Sequence, residues 1–295
     1  MDITNKISNF ITEDIAYLLG LIVGRGTFIK ERENLKLIID FPFKNLEAIG
    51  VKSKYNVSLH LSDSVDDIIL RLKKLGLNIE KNKNFENKIV SLIIKWQDSY
   101  IAFQFLHFLL NGNHTNYHSF RIPRAIYESD KEKQKEFIRG YFDVTGHIRV
   151  SNRDQAGHHR IYLEVDHRNW FLVADLFILF EKYLKIPIQT INFGHPNFRG
   201  EKGWAKEHQI KIFANQFLSI GSYIAHKDTV IKELAKQNKP SIGSNRRGPK
   251  IKNKPTTPEE NSSKLPDYLR GKHFNHSSEL LNYLLSLMED VQNNQ

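Results

Sequence analysis

Two stretches of this chain, 120 residues apart, carry the same unusual pattern. Leu18-Leu19-Gly20-Leu21-Ile22-Val23-Gly24-Arg25-Gly26-Thr27-Phe28 is one, and Ile138-Arg139-Gly140-Tyr141-Phe142-Asp143-Val144-Thr145-Gly146-His147-Ile148 is the other. Each sets a glycine inside an apolar helical run and a second glycine six residues later, where a strand begins. A glycine inside a helix costs about 1 kcal/mol relative to alanine, so it is usually kept for a packing reason. Gly20 and Gly140 are therefore expected to let two helices approach closely at the centre of the molecule. One such stretch alone reads as an ordinary buried helix. Two, each opening the same series of elements, predict similar halves about a pseudo-twofold axis.

The first series starts at Thr12, a helix N-cap followed by Glu13 and Asp14 in the first turn. The Gly24-Arg25-Gly26 run is expected to stop the helix through a left-handed glycine. Residues 27–32 and 35–41 read as a strand hairpin, 55–61 as a further strand patch, and 62–75 as an amphipathic helix ended by Gly76. A strand at 88–96, a helix at 99–110 and a polar turn at 111–117 follow. The second series has a helix at 131–143, strands at 147–153 and 159–165, and a helix at 169–184. Strands at 187–193 and 208–213 and a helix at 214–224 complete it. The period is too long for a solenoid repeat. The expected fold class is α+β, with pseudo-symmetric αββαββα halves over 1–115 and 116–236. Beyond these, 236–254 holds seven basic residues and no acid, with Pro240, Gly243, Gly248 and Pro249. That composition suits a flexible cationic linker, or an arm that contacts phosphates. An amphipathic segment at 277–291 is expected to dock as a helix, so that 237–295 forms a basic linker plus a helix.

Composition narrows the function. With no cysteine, disulfides, cysteine zinc sites, iron–sulfur clusters and thiol catalysis are excluded. No run approaches the roughly 18–20 apolar residues that cross a bilayer, so no membrane partner is expected. Met1-Asp2-Ile3-Thr4 lacks a basic stretch before an apolar core, which predicts an intracellular protein without a secretory signal. Lys and Arg outnumber Asp and Glu by 43 to 33, a net charge of +10 that favours a polyanionic partner, most simply nucleic acid. No Walker, Rossmann or nucleophile-elbow motif is present.

The paired helix–glycine motifs make the chain resemble the LAGLIDADG homing endonucleases in their single-chain, two-motif form, over residues 11–236. The segment Arg121-Ile122-Pro123-Arg124-Ala125-Ile126-Tyr127 is similar to the lead-in before a second motif, and Ile220-Gly221-Ser222-Tyr223 to a closing helix. The resemblance implies a saddle of two four-stranded antiparallel sheets lying along the DNA major groove, with strand side chains reading base edges. It also implies an acid at the eighth position of each motif, the two together holding divalent metal. Here those positions hold Arg25 and Thr145. Arginine cannot ligate a metal and attracts phosphate; threonine is a neutral, weak ligand. Asp143, Lys95 and Lys211 remain as residual catalytic candidates.

On this basis the expected DNA contacts are Arg25, Lys30, Arg32, Lys36, His147, Arg149, Arg153, Arg160, Arg246 and Arg247. No cofactor is expected, or Mg²⁺ if the protein cuts. The expected function is sequence-specific binding of double-stranded DNA by a monomer with internal pseudo-twofold symmetry, its cleavage lost or impaired. One alternative is an active nuclease with metal recruited by Asp143, Asp40 or Asp166. Another is an intron RNA-binding splicing cofactor. His158-His159 and Asp166-His167 match no strong zinc spacing.

Overall fold

A computed structural model describes residues 10–31, 34–55, 61–96, 100–110, 115–150, 158–193, 207–238 and 265–293. Helix α1 (Glu13–Arg25) runs into strand β1 (Gly26–Glu31), which pairs with β2 (Asn34–Pro42). A helical turn, α2 (Phe43–Leu46), leads to the short strands β3 (Ala48–Ile49) and β4 (Lys54–Tyr55). Then come α3 (Asp66–Lys73), β5 (Ile79–Asn84), β6 (Ile89–Trp96) and α4 (Tyr100–Leu109). A one-turn helix, α5 (Arg124–Tyr127), precedes α6 (Lys131–Thr145). Beyond α6 lie β7 (Gly146–Ile148), β8 (Arg160–Asp166), α7 (Trp170–Phe177, continued by a wider turn to Tyr183), β9 (Thr190–Asn192) and β10 (Glu207–Phe213). The last elements are α8 (Ala214–Phe217), α9 (Ala225–Gln237) and α10 (Ser277–Asn293).

The architecture is α+β, and the two units repeat one strand order. The first sheet runs β1-β2-β6-β5, and β7-β8-β10-β9 runs the same way through the second. All pairings within each set of four are antiparallel. The second sheet is wider than the sequence implies. β3 joins its edge in parallel with β7, through Ala48 and Ile148, and β4 pairs with β3. A segment from the first series thus completes the sheet of the second.

Both sheets hang on α1 and α6, which pack against each other along their length. The glycines explain the approach. A Cβ on Gly20 would overlap the carbonyl oxygen of Phe137 and lie 2.7 Å from Tyr141 N; one on Gly140 would overlap the carbonyl oxygen of Tyr17. Helix α1 opens on Thr12, whose hydroxyl accepts from Ile15 N at 3.2 Å. Asp130 does the same for α6 with the amides of Glu132 and Lys133. Gly26 and Gly146 close these helices for a different reason from the expected one. Their φ values are −85° and −73°, so the chain passes straight from helix to strand. Glycine is needed there because a Cβ would strike Ile22 at Gly26 and the Phe142 ring at Gly146. Gly76, with φ of +74°, does end α3 in the left-handed region.

The helix expected at 214–224 is absent as one piece. After α8 the chain turns at Gly221, with φ of +66°, and the long helix α9 follows. Ile220–Tyr223 is therefore a connection, held because the Ser222 amide donates to the Asp228 carboxylate at 3.3 Å. At the C-terminal end α10 packs on α7, and Leu280, Leu281 and Leu284 are buried. No helix among the described residues is long and apolar enough to cross a membrane.

Candidate nucleic-acid interface and the waist between the sheets

In the first sheet, strand alternation separates two faces. Phe28, Leu35, Leu37, Ile39, Phe41, Val90, Leu92, Ile94 and Trp96 are buried. Thr27, Ile29, Lys36, Ile38, Asp40, Ser91, Ile93 and Lys95 share the opposite, partly exposed face. Lys36 and Lys95 are direct cross-strand partners, and Lys95 donates to Glu80 at 2.7 Å. Lys30 is exposed at the far end of β1. Arg32 lies outside the described residues, as do Arg153, Arg246 and Arg247.

The corresponding face of the second sheet is closed. Both β8 and β10 are buried on both faces, which encloses Arg160, an expected DNA contact, and Lys211, a residual catalytic candidate. Each is about 7% exposed. Three cations gather on one ring: Arg149, Arg160 and Lys211 lie 5.0, 5.7 and 5.4 Å from the centre of Tyr162. Arg149 is exposed, and His147 is half-buried with its Nδ1 3.2 Å from the Lys44 carbonyl oxygen. Burial lowers the His147 pKa.

The C-terminal ends of α1 and α6 meet at the waist. Arg25 reaches Glu164 of β8 at 3.4 Å and lies 5.3 Å from the Tyr117 ring centre. Burial opposes its charge, but the Glu164 carboxylate, together with Tyr117 and Tyr141, outweighs burial and raises its pKa. The Arg25 Nε is buried and makes no hydrogen bond. Lys44 pairs with the same Glu164 oxygen at 2.7 Å and with Glu207 at 3.0 Å. The Asn45 amide nitrogen donates to Glu164 at 3.2 Å and to the Thr145 carbonyl oxygen at 3.0 Å. The Thr145 hydroxyl donates to the Tyr141 carbonyl oxygen at 2.7 Å. Glu164, Lys44 and Asn45 carry no motif signal in the sequence. They come together only because β8 and α2 meet at the helix ends.

A divalent metal needs open anionic oxygens. Here the waist carboxylate Glu164 is held by two cations and an amide, and the Thr145 hydroxyl is turned back on its own helix. No group of three or more His, Asp or Glu that could hold an ion occurs among the described residues. These side chains do not fit the metal pair that the resemblance implies.

Asp143 lies in the last turn of α6, but its carboxylate is enclosed rather than presented at the waist, which corrects its standing as a residual catalytic residue. It is fully buried, accepts from the Tyr17 hydroxyl at 2.7 Å and from the Tyr223 amide at 3.1 Å, and is bonded by Ser222. Beneath it, the buried Lys227 ammonium donates to the carbonyl oxygens of Phe142, Asp143 and Gly146 at 3.1–3.3 Å, capping α6. Burial lowers the Lys227 pKa to about 8 against the pull of Asp143. Asp166 is likewise occupied: Arg168 grips it at 2.7 Å, and its pKa falls to about 2 although burial opposes its charge. His158 and His159 precede β8 while Asp166 and His167 end it, on the order of 20 Å away at strand rise, so they form no common site. Asp40 faces out from the first sheet and accepts from Ser91 at 2.6 Å.

No protein-family model and no curated protein matches the chain. Among solved structures, it is similar to the homing endonuclease I-DmoI in complex with DNA and Mn, at 15% identity over 70% of this chain and 90% of that one, with a TM-score of 0.34. It is also similar to full-length DUF199/WhiA from Thermatoga maritima, at 13% identity over 80% of this chain and 66% of that one, with a TM-score of 0.43.

Proposed function

We propose that this protein binds double-stranded DNA sequence-specifically and that its capacity to cut DNA is absent or strongly impaired. The observation that carries the reading is the waist. A guanidinium and a back-bonded hydroxyl stand at the ends of the paired helices, and the nearby carboxylate is neutralised by Arg25 and Lys44. With Glu207 also held by Lys44, two cations and two carboxylates balance there, and no carboxylate oxygen is left open for a divalent metal. Antiparallel strands are narrow enough to enter the major groove, where donor and acceptor patterns distinguish all four base pairs. The net charge of +10 favours association with a polyanion. Lys30, Arg149 and the basic stretch after Ala235 serve as phosphate contacts that position the duplex.

The test is selection from a randomised duplex library, followed by incubation of the recovered complexes with Mg²⁺ or Mn²⁺. The expected outcome is an enriched sequence whose affinity falls steeply with salt, and no strand breaks. Arg25→Ala should weaken binding to every duplex and reduce the salt slope by about one. Reproducible cuts, or a preference for structured intron RNA over any duplex, would overturn the reading.

A further inference from the structure

The open face of the first sheet is unlike a strand face that meets only water. Such a face alternates to polar residues. Here its middle row is Thr27, Ile38 and Ile93, paired directly across β1, β2 and β6, and Ile29 follows Thr27 on the same face. All four are partly exposed. The polar neighbours are tied to one another: Ser91 donates to Asp40 at 2.6 Å, and Lys95 to Glu80 at 2.7 Å. What remains for contact is a methyl-bearing row about one side chain wide and three strands long, on the order of 10 Å.

That shape selects its occupant. A stable protein interface buries about 800 Å² per partner and needs a much broader apolar core. The row instead matches the roughly 12 Å width of the major groove. The apolar group that base pairs present in that groove is the C5-methyl of thymine.

We propose that this face recognises thymine methyl groups, with Ile38 and Ile93 as the specificity-determining residues and Thr27 and Ile29 extending the row. The inference rests on the DNA-binding reading above and adds what this sheet discriminates. The second sheet, whose polar side chains are enclosed, has no equivalent partly exposed isoleucine row among the described residues.

The experiment uses the full chain and the duplex recovered from the randomised library. Each thymine is replaced in turn by deoxyuridine, which removes the methyl and leaves base pairing intact. Replacement at one or two neighbouring positions should weaken binding about fourfold per methyl. The Ile38→Ser/Ile93→Ser variant should bind thymine and deoxyuridine duplexes equally, with an unchanged salt slope. Ile93→Val should keep the discrimination. Thermal melting checks that each variant is folded. If no duplex binds at all, the functional reading fails and this inference fails with it. If duplex binding is specific but every thymine tolerates deoxyuridine, or discrimination persists in the double serine variant, this inference alone is overturned.

Discussion

At the scale of single residues, the decisive ones are those with the least side chain. Gly20 and Gly140 each face backbone of the opposite helix, so there is no flexible group to move aside. Gly20→Ala gains about 1 kcal/mol of helix propensity, but the overlap with the Phe137 carbonyl must separate the helices. We expect a net loss of about 3 kcal/mol in chemical denaturation, and the same for Gly140→Ala. Asp143 makes the opposite point. Its type and place in the motif suggested chemistry, yet Tyr17, Ser222 and Tyr223 enclose it. Burial raises its pKa, a structural consequence of distance from water.

At the scale of elements, β10 and α7 form the clearest pH-sensitive unit. His208 points from β10 into the core, its ring centre 4.2 Å from that of Trp170 and 5.7 Å from that of Phe193. Burial lowers its pKa to about 3. In the unfolded chain a histidine takes a proton near pH 6.5. Between pH about 6.5 and about 3 the unfolded state therefore holds more protons, and stability falls as the solution is acidified through that window. The slope contributed by this group is at most about 1.4 kcal/mol per pH unit. Unfolding midpoints measured from pH 7 to pH 4 should show this decline, and His208→Leu should flatten it. An unchanged slope in His208→Leu would place the acid sensitivity elsewhere.

Across the whole molecule, a buried ion pair network joins α3 to both central helices. Arg71 of α3 reaches Asp14 of α1 at 2.7 Å and Glu136 of α6 at 2.8 Å, and lies 4.2 Å from the Tyr17 ring centre. Arg71→Met removes the shared cation, leaving Asp14 partly exposed to water and Glu136 with Arg139. Losing such charge-assisted hydrogen bonds costs about 1.5–3 kcal/mol, an effect readable as a lowered urea midpoint. The loss should also be cooperative. The β3–β4 hairpin of the first series completes the second sheet, so neither unit has an independent edge there. A single unfolding transition is expected, with far-ultraviolet and tryptophan signals coincident.

Much of this organisation was legible before any coordinates. Glycine spacing announced the helix pair, Thr12 its start, Gly76 the end of α3, and the runs at 27–32 and 35–41 the first hairpin, because each depends on neighbours within a turn or a pleat. Tertiary structure alone decided the rest. It turned Asp143 inward, broke 214–224 at Gly221, buried Arg160 and Lys211 on the second sheet, and brought Glu164, Lys44 and Asn45 to the ends of the helices. The enclosure of Asp143 and the cluster at the helix ends depend on contacts between residues from about 80 to more than 100 positions apart, such as Ser222 with Asp143 and Lys44 with Glu164. No local periodicity encodes such contacts. Which groups end up facing each other, and therefore which charges are neutralised, follows from how the units close on one another.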